Sequence, residues 1–157
     1  MDKKTLIQFV KFALVGVSNT LIDWIVYFLL TLIPFFANLE SWAKAISFAV
    51  AATNSFIFNS IWTFRSEFKK GLDKSKSKVA AGSEYYIKFM VVSVIGFGLN
   101  LWVFTLARAY LFPGKERIFQ LFALVLASGI VIIWNFVANK WWTYREKSQI
   151  SNLKSQK

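Results

Sequence analysis

The chain has no cysteine and no histidine among its 157 residues. These absences remove disulfides, thiolate nucleophiles, zinc sites built from nitrogen and sulfur ligands, and histidine proton relays. Acid is scarce too: eight Asp and Glu stand against nineteen Lys and Arg, a formal net charge of +11. With no nucleophile beside a base, no paired carboxylates and no metal cluster to assemble, neither an enzyme nor a cofactor is expected.

What the chain has in excess is apolar surface. Its residues are 56% hydrophobic and 18% aromatic, against about 45–50% apolar residues in a soluble domain. The apolar residues fall in four blocks, about 7–30, 42–62, 86–111 and 118–139. Each reaches the roughly 20 residues that a helix needs to cross about 30 Å of hydrocarbon. Lys3 and Lys4 precede the first block as they would a signal peptide. That block is longer than the roughly 7–15 residues of a signal core and no small-x-small site closes it, so a retained helix is expected. An all-α integral membrane protein with four transmembrane helices follows.

The position of the cations matters more than their sum. With four spans, the N-terminus, the segment after the second span and the C-terminus share one side, and fifteen of the nineteen Lys and Arg fall there. Only Lys44, Arg108, Lys115 and Arg117 fall on the other. The positive-inside rule then predicts both termini in the cytoplasm and a multi-pass protein of the cytoplasmic membrane. The same asymmetry would hold anionic lipids of the inner leaflet, a better use for the charge than nucleic acid, which is not expected as a partner.

The chain also repeats itself. "NSFIFNSIWTFR" at 54–65 returns as "WNFVANKWWTYR" at 134–145. At an offset of eighty, Phe56 matches Phe136, Asn59 Asn139, Trp62 Trp142, Thr63 Thr143 and Arg65 Arg145, with Phe64 and Tyr144 a conservative sixth pair. "GVSN" at 16–19 and "FGLN" at 97–100 add Asn19 and Asn100 at an offset of 81. We therefore expect two helical hairpins of one orientation, 8–65 and 85–145, related by a pseudo-twofold axis along the membrane normal. The charged stretch 66–84 reads as a soluble cytoplasmic linker without an apolar period, and 146–157 as a basic cytoplasmic tail. Trp62, Tyr85, Tyr86, Trp141, Trp142 and Tyr144 are expected as an aromatic belt at the inner interface.

"KFALVGVSNTLID", the returning "NSFIFNSIWTFR", the second "GLN" and the closing "NFVANKWWTYR" resemble the GtrA-like family of small four-helix membrane proteins, over residues 8–146. That resemblance implies movement of a polyprenyl-phosphate-linked sugar across the cytoplasmic membrane, for glycosylation of O-antigen, teichoic acid or another envelope polymer. It also implies partnership with the polyprenyl-phosphate glycosyltransferase that makes such lipids.

Polar residues inside the apolar blocks are the candidate substrate site. Asp23 is the only acid well inside a span. A buried charge there is costly, so it should face the bundle interior and have a partner, Lys44 or Arg108, which lie at comparable depth. Gly16, Asn19 and Asp23 share one helical face, with Gly16 permitting close approach. Asn19, Asn54, Asn59, Asn100, Asn135 and Asn139 could bond across helices or receive sugar hydroxyls, and Arg65 and Arg145 lie where inner-leaflet phosphates would be. Ser93, Gly96 and Asn100 form a stripe suited to close packing. Phe104 replaces Asp23 in the second half, which suggests one site per chain or a site shared in a homodimer. The competing readings are a non-transporting anchor that recruits a glycosyltransferase through the basic segment, and a small proton-coupled exporter using Asp23.

Overall fold

The computed structural model describes residues 2–37, 39–112 and 116–145. Its elements are α1 (Lys3–Thr31), α2 (Pro34–Ala37), α3 (Glu40–Phe58), α4 (Arg65–Asp73), α5 (Lys78–Leu106) and α6 (Arg117–Ala138), with no strand among the described residues. Three helices run on into a π-helical turn: Asn59–Thr63 after α3, Ala107–Leu111 after α5 and Asn139–Thr143 after α6. Four spans are long and apolar enough to cross a membrane, Lys3–Thr31, Glu40–Thr63, Lys78–Leu111 and Arg117–Thr143. The expected fold class is found.

The chain divides into two compact units, one running to Gly82 and one covering Ser83–Arg145. In the first, Asp2 starts α1 by accepting a hydrogen bond from the Thr5 amide on its side chain at 2.9 Å. Pro34 opens α2, where its missing N–H costs nothing. The chain then returns as α3, antiparallel to α1: Gln8 meets Thr63 at one end and Asp23 meets Ser47 at the other. Ala43 and Ser47 are fully buried on α3, small side chains that allow close helix approach. At the far end Phe12 packs edge-on against Phe64, which is completely buried.

The second unit is built on the same plan. Ala123 and Ala127 on α6 are fully buried, eighty residues after Ala43 and Ser47. Tyr85 stacks on Tyr144 with ring centroids 5.7 Å apart, and Gly96 lies against Asn135, so α5 and α6 are antiparallel. Large apolar side chains such as Trp24, Phe28, Val94, Trp102 and Val125 are exposed all along the four spans. In water such a surface would be untenable; against acyl chains it is the expected one.

Several expectations need correcting. The segment 66–84 is mostly helical: α4 occupies its first part, and α5 begins at Lys78 instead of near residue 86. Tyr85 and Tyr144 are core residues of the second unit, 7% and 1% exposed, whereas Trp62, Trp141 and Trp142 are exposed as belt residues should be. Within the first unit Gly16 mediates no close contact, since none of the described residues lies within 4 Å of where its Cβ would stand. The tail 146–157 and the turn at 113–115, with Lys115, lie outside the described residues.

Candidate functional site

The acid predicted to need a partner has one. Lys44 Nζ lies 2.5 Å from Asp23 Oδ2, and the Ser47 hydroxyl donates to Asp23 Oδ1 at 2.7 Å. The Asp23 side chain is 18% exposed and that of Lys44 51%, so the acid is the buried partner and the ammonium sits at the surface of the unit. Lys44 also stands 5.8 Å from the Tyr27 ring centroid, a cation–π contact that orients it. Ser47 was missed by sequence reasoning. Its spacing of three from Lys44 puts both on one face of α3, and that was the available signal. At the matching positions of the second unit stand Phe104, Leu124 and Ala127, so this polar cluster is not duplicated.

The other candidate cation, Arg108, is engaged locally: its Nη1 donates to the Phe112 carbonyl at 2.6 Å, closing the π-turn that ends α5. Arg65 and Arg145 are exposed, each just past a π-turn.

Those two turns contain the repeated amides. Asn59 and Asn139 are each 1% exposed. Asn59 Nδ2 donates to the Ser55 carbonyl at 2.9 Å and Asn139 Nδ2 to the Asn135 carbonyl at 2.8 Å, the same bond in both units. The backbone matches too: Phe64 N–H reaches back to Asn59 O at 2.7 Å and Tyr144 N–H to Asn139 O at 2.8 Å. This five-residue reach inserts an extra residue into the turn, and such π-bulges are frequent at functional sites. Elsewhere in the spans Thr20, Thr53 and Thr105 bond to the carbonyl four residues back. Thr63 and Thr143 do not; their hydroxyls, like Asn59 Oδ1 and Asn139 Oδ1, are buried without a partner among the described residues.

Three more predicted residues carry an unpartnered buried atom: Asn19 Oδ1, Asn54 Nδ2 and Asn135 Oδ1. Asn100 is half-buried in mid-α5. Asn54 forms part of a groove of about 520 Å³ between α1 and the α3 span, lined also by Leu14, Val15, Ser18, Phe58, Ile61 and Trp62.

Below the π-turn of the first unit lies a polar clasp that sequence reasoning missed. Gln8, 5% exposed, donates through Nε2 to the Thr63 carbonyl at 3.4 Å and to Glu67 Oε1 at 3.2 Å. It thereby satisfies a carbonyl left over at a helix end. Glu67 accepts from Lys4 at 2.6 Å and from the Ser66 hydroxyl at 2.7 Å. Burial pushes the Glu67 carboxyl up, but the hydrogen bonds from Lys4 and Ser66, with a backbone bond and the Lys4 charge, outweigh it and lower it to about 2. The signal was Gln8 itself, the polar member of a stripe with Phe12 and Val15, all buried on α1.

Two helical hairpins, each of two antiparallel spans with an apolar outer surface and buried polar atoms, define a small multi-pass membrane protein. The chain belongs to the GtrA/DPMS transmembrane-domain family, whose pattern it matches over residues 11–144. It is also similar to an uncharacterized membrane protein, YngA, of Bacillus subtilis (strain 168), at 28% identity over 148 residues, covering 93% of this chain and 84% of the relative.

Proposed function

We propose that the chain translocates a polyprenyl-phosphate-linked monosaccharide across the cytoplasmic membrane, for glycosylation of an envelope polysaccharide or teichoic acid. Membership of the family supports this class of activity. The observation that carries it is the Asp23–Lys44–Ser47 cluster within the spans. A phosphate needs a cation to meet it inside the membrane, and a cation waiting there needs an anion while the phosphate is absent. Asp23 holds Lys44 in that interval and the arriving phosphate takes its place, a shift that requires different binding in the two states. The protein is in this reading a transporter and not an enzyme, N-in and C-in, working beside the glycosyltransferase that makes its lipid.

A second reading, an accessory anchor that recruits such an enzyme, draws on α4, a helix that carries Arg65, Lys69 and Lys70 on exposed positions beside the spans. Liposomes carrying labelled polyprenyl-phosphate sugar separate the two. Under the transporter reading the wild-type chain moves the headgroup between leaflets and Asp23→Asn does not, although Asn can still accept from Ser47. Transfer retained at full rate by Asp23→Asn would make the ion pair structural; no transfer by the wild type would favour the anchor.

A further inference from the structure

We infer that the groove between α1 and the α3 span of the first unit is the docking site for the phosphate and the adjoining isoprenoid segment of the lipid. This rests on the proposed function and assigns it a place and residues. The groove has a charged mouth, apolar walls and a polar floor. At the mouth Lys11 Nζ stands 5.3 Å from the ring centroid of Trp62, which itself lines the groove. Among the described residues Lys11 has no anionic partner, so a cation is held at the rim with its charge uncompensated. Leu14, Val15, Phe58 and Ile61 form the walls. Ser18 and Asn54 lie deeper, seven residues after Lys11 and eight before Trp62, which is ~10–12 Å along helices rising 1.5 Å per residue.

This order selects the occupant. A free phosphate would bind the mouth and leave the apolar walls uncovered. An uncharged hydrocarbon would fill the walls and leave Lys11 unmet. A lipid monophosphate satisfies both, with the phosphate accepting from the ammonium and the chain running inward. A single groove with one cation at its mouth suits the one chain and one phosphate of a polyprenyl phosphate, the lipid of the proposed function, better than a diacyl lipid with two chains to place.

The absence of native cysteine makes the test direct. Full-length Ser18→Cys, Ile61→Cys and Val94→Cys are purified in detergent and labelled with a maleimide; Val94 lies exposed in the second unit and serves as control. Polyprenyl monophosphate is expected to slow labelling at positions 18 and 61 but not at 94, polyprenol to do so only at concentrations at least about tenfold higher, and inorganic phosphate to leave all three unchanged. Adding Lys11→Gln should raise the half-protecting concentration about tenfold, the size of one hydrogen bond to a charged group. Equal slowing at 94 would mean partition into the micelle, and equal protection by phosphatidic acid would mean an ordinary lipid groove; either overturns the inference. So does an absence of protection at both 18 and 61. Headgroup transfer in liposomes that survives such a failure would leave the proposed function standing.

Discussion

Gly96 is the position where the packing of the second unit can be tested most sharply. A methyl group added there would stand 2.5 Å from Oδ1, 3.0 Å from Nδ2 and 3.1 Å from Cγ of Asn135. All three atoms belong to one side chain, so relief requires either a rotamer change in Asn135 or a shift of α5 away from α6. The first costs about 0.5–1.5 kcal/mol, and overpacking more generally about 1–3 kcal/mol. Against this, alanine is favoured over glycine in a helix by up to ~1 kcal/mol. We expect Gly96→Ala to destabilise the protein by about 1–2 kcal/mol, the contact outweighing the propensity. Asn135→Ala removes the obstacle, and in that background Gly96→Ala should be neutral or stabilising by up to ~1 kcal/mol. The four variants form a cycle, measured by reversible unfolding in mixed micelles with tryptophan fluorescence as the probe. Gly16→Ala is the control, because a Cβ there meets nothing within 4 Å among the described residues and only the helix-propensity gain should appear. If the two changes at 96 and 135 add to within about 0.5 kcal/mol, the contact between them is not real.

Asn59→Leu and Asn139→Leu each exchange a buried amide whose Oδ1 has no partner among the described residues for a hydrocarbon. Leaving such an atom buried costs about 1–3 kcal/mol, so stability in the same unfolding assay should hold or rise while headgroup transfer falls; a large loss of stability would make the amides structural. Glu67, lowered to about 2, stabilises the fold fully above the ordinary carboxylate value of 4.5 and loses that contribution as pH falls toward 2. The effect is about 1 kcal/mol, since the Lys4 side chain is 64% exposed and its charge is screened. Hydrogen exchange over α4 should therefore speed up on acidification in the wild type and less so in Glu67→Gln; equal acid sensitivity would contradict the assignment. A single thiol at Ser77 should be blocked by an impermeant reagent only after the membrane is opened, and labelling from outside intact cells would reverse the expected topology.

Much of this protein could be read from its sequence because the bilayer imposes a length on every span. Apolar runs gave the four spans to within several residues, and the cost of a lone carboxylate led from Asp23 to two candidate partners, Lys44 and Arg108, of which the structure pairs it with Lys44. What could not be read has a common cause. In hydrocarbon an apolar side chain gains little by facing protein instead of lipid, so hydrophobicity does not separate core from surface. Tyr85 and Tyr144 look like belt residues in the sequence and stack in the core instead. The helix α4 was hidden for a different reason. In nine residues only Phe68 and Leu72 mark an apolar face, and the helix is held by contacts distant in sequence, Glu67 with Lys4 and Phe68 with Phe56. The π-turns leave no mark in local propensity, although two of them are followed directly by a buried aromatic, Phe64 or Tyr144.

The two hairpins agree in their packing and differ in their charge. Small residues at 43 and 47 and at 123 and 127, the amide bonds at 59 and 139 and the buried aromatics at 64 and 144 are common to both. These are the features that let two helices approach and end in a fixed turn, so either hairpin needs them to fold. The charges of Asp23 and Lys44 and the hydroxyl of Ser47 are not needed for that, because Phe104, Leu124 and Ala127 occupy the same positions in a hairpin of the same plan. A polar cluster that its own sister hairpin dispenses with is poorly explained as a packing device. Pairing two charges within a span gains little over an apolar contact of similar volume once their desolvation is counted. Under the proposed function the pair is kept for what its charges do when separated, and the first hairpin is where a charged ligand would have something to displace.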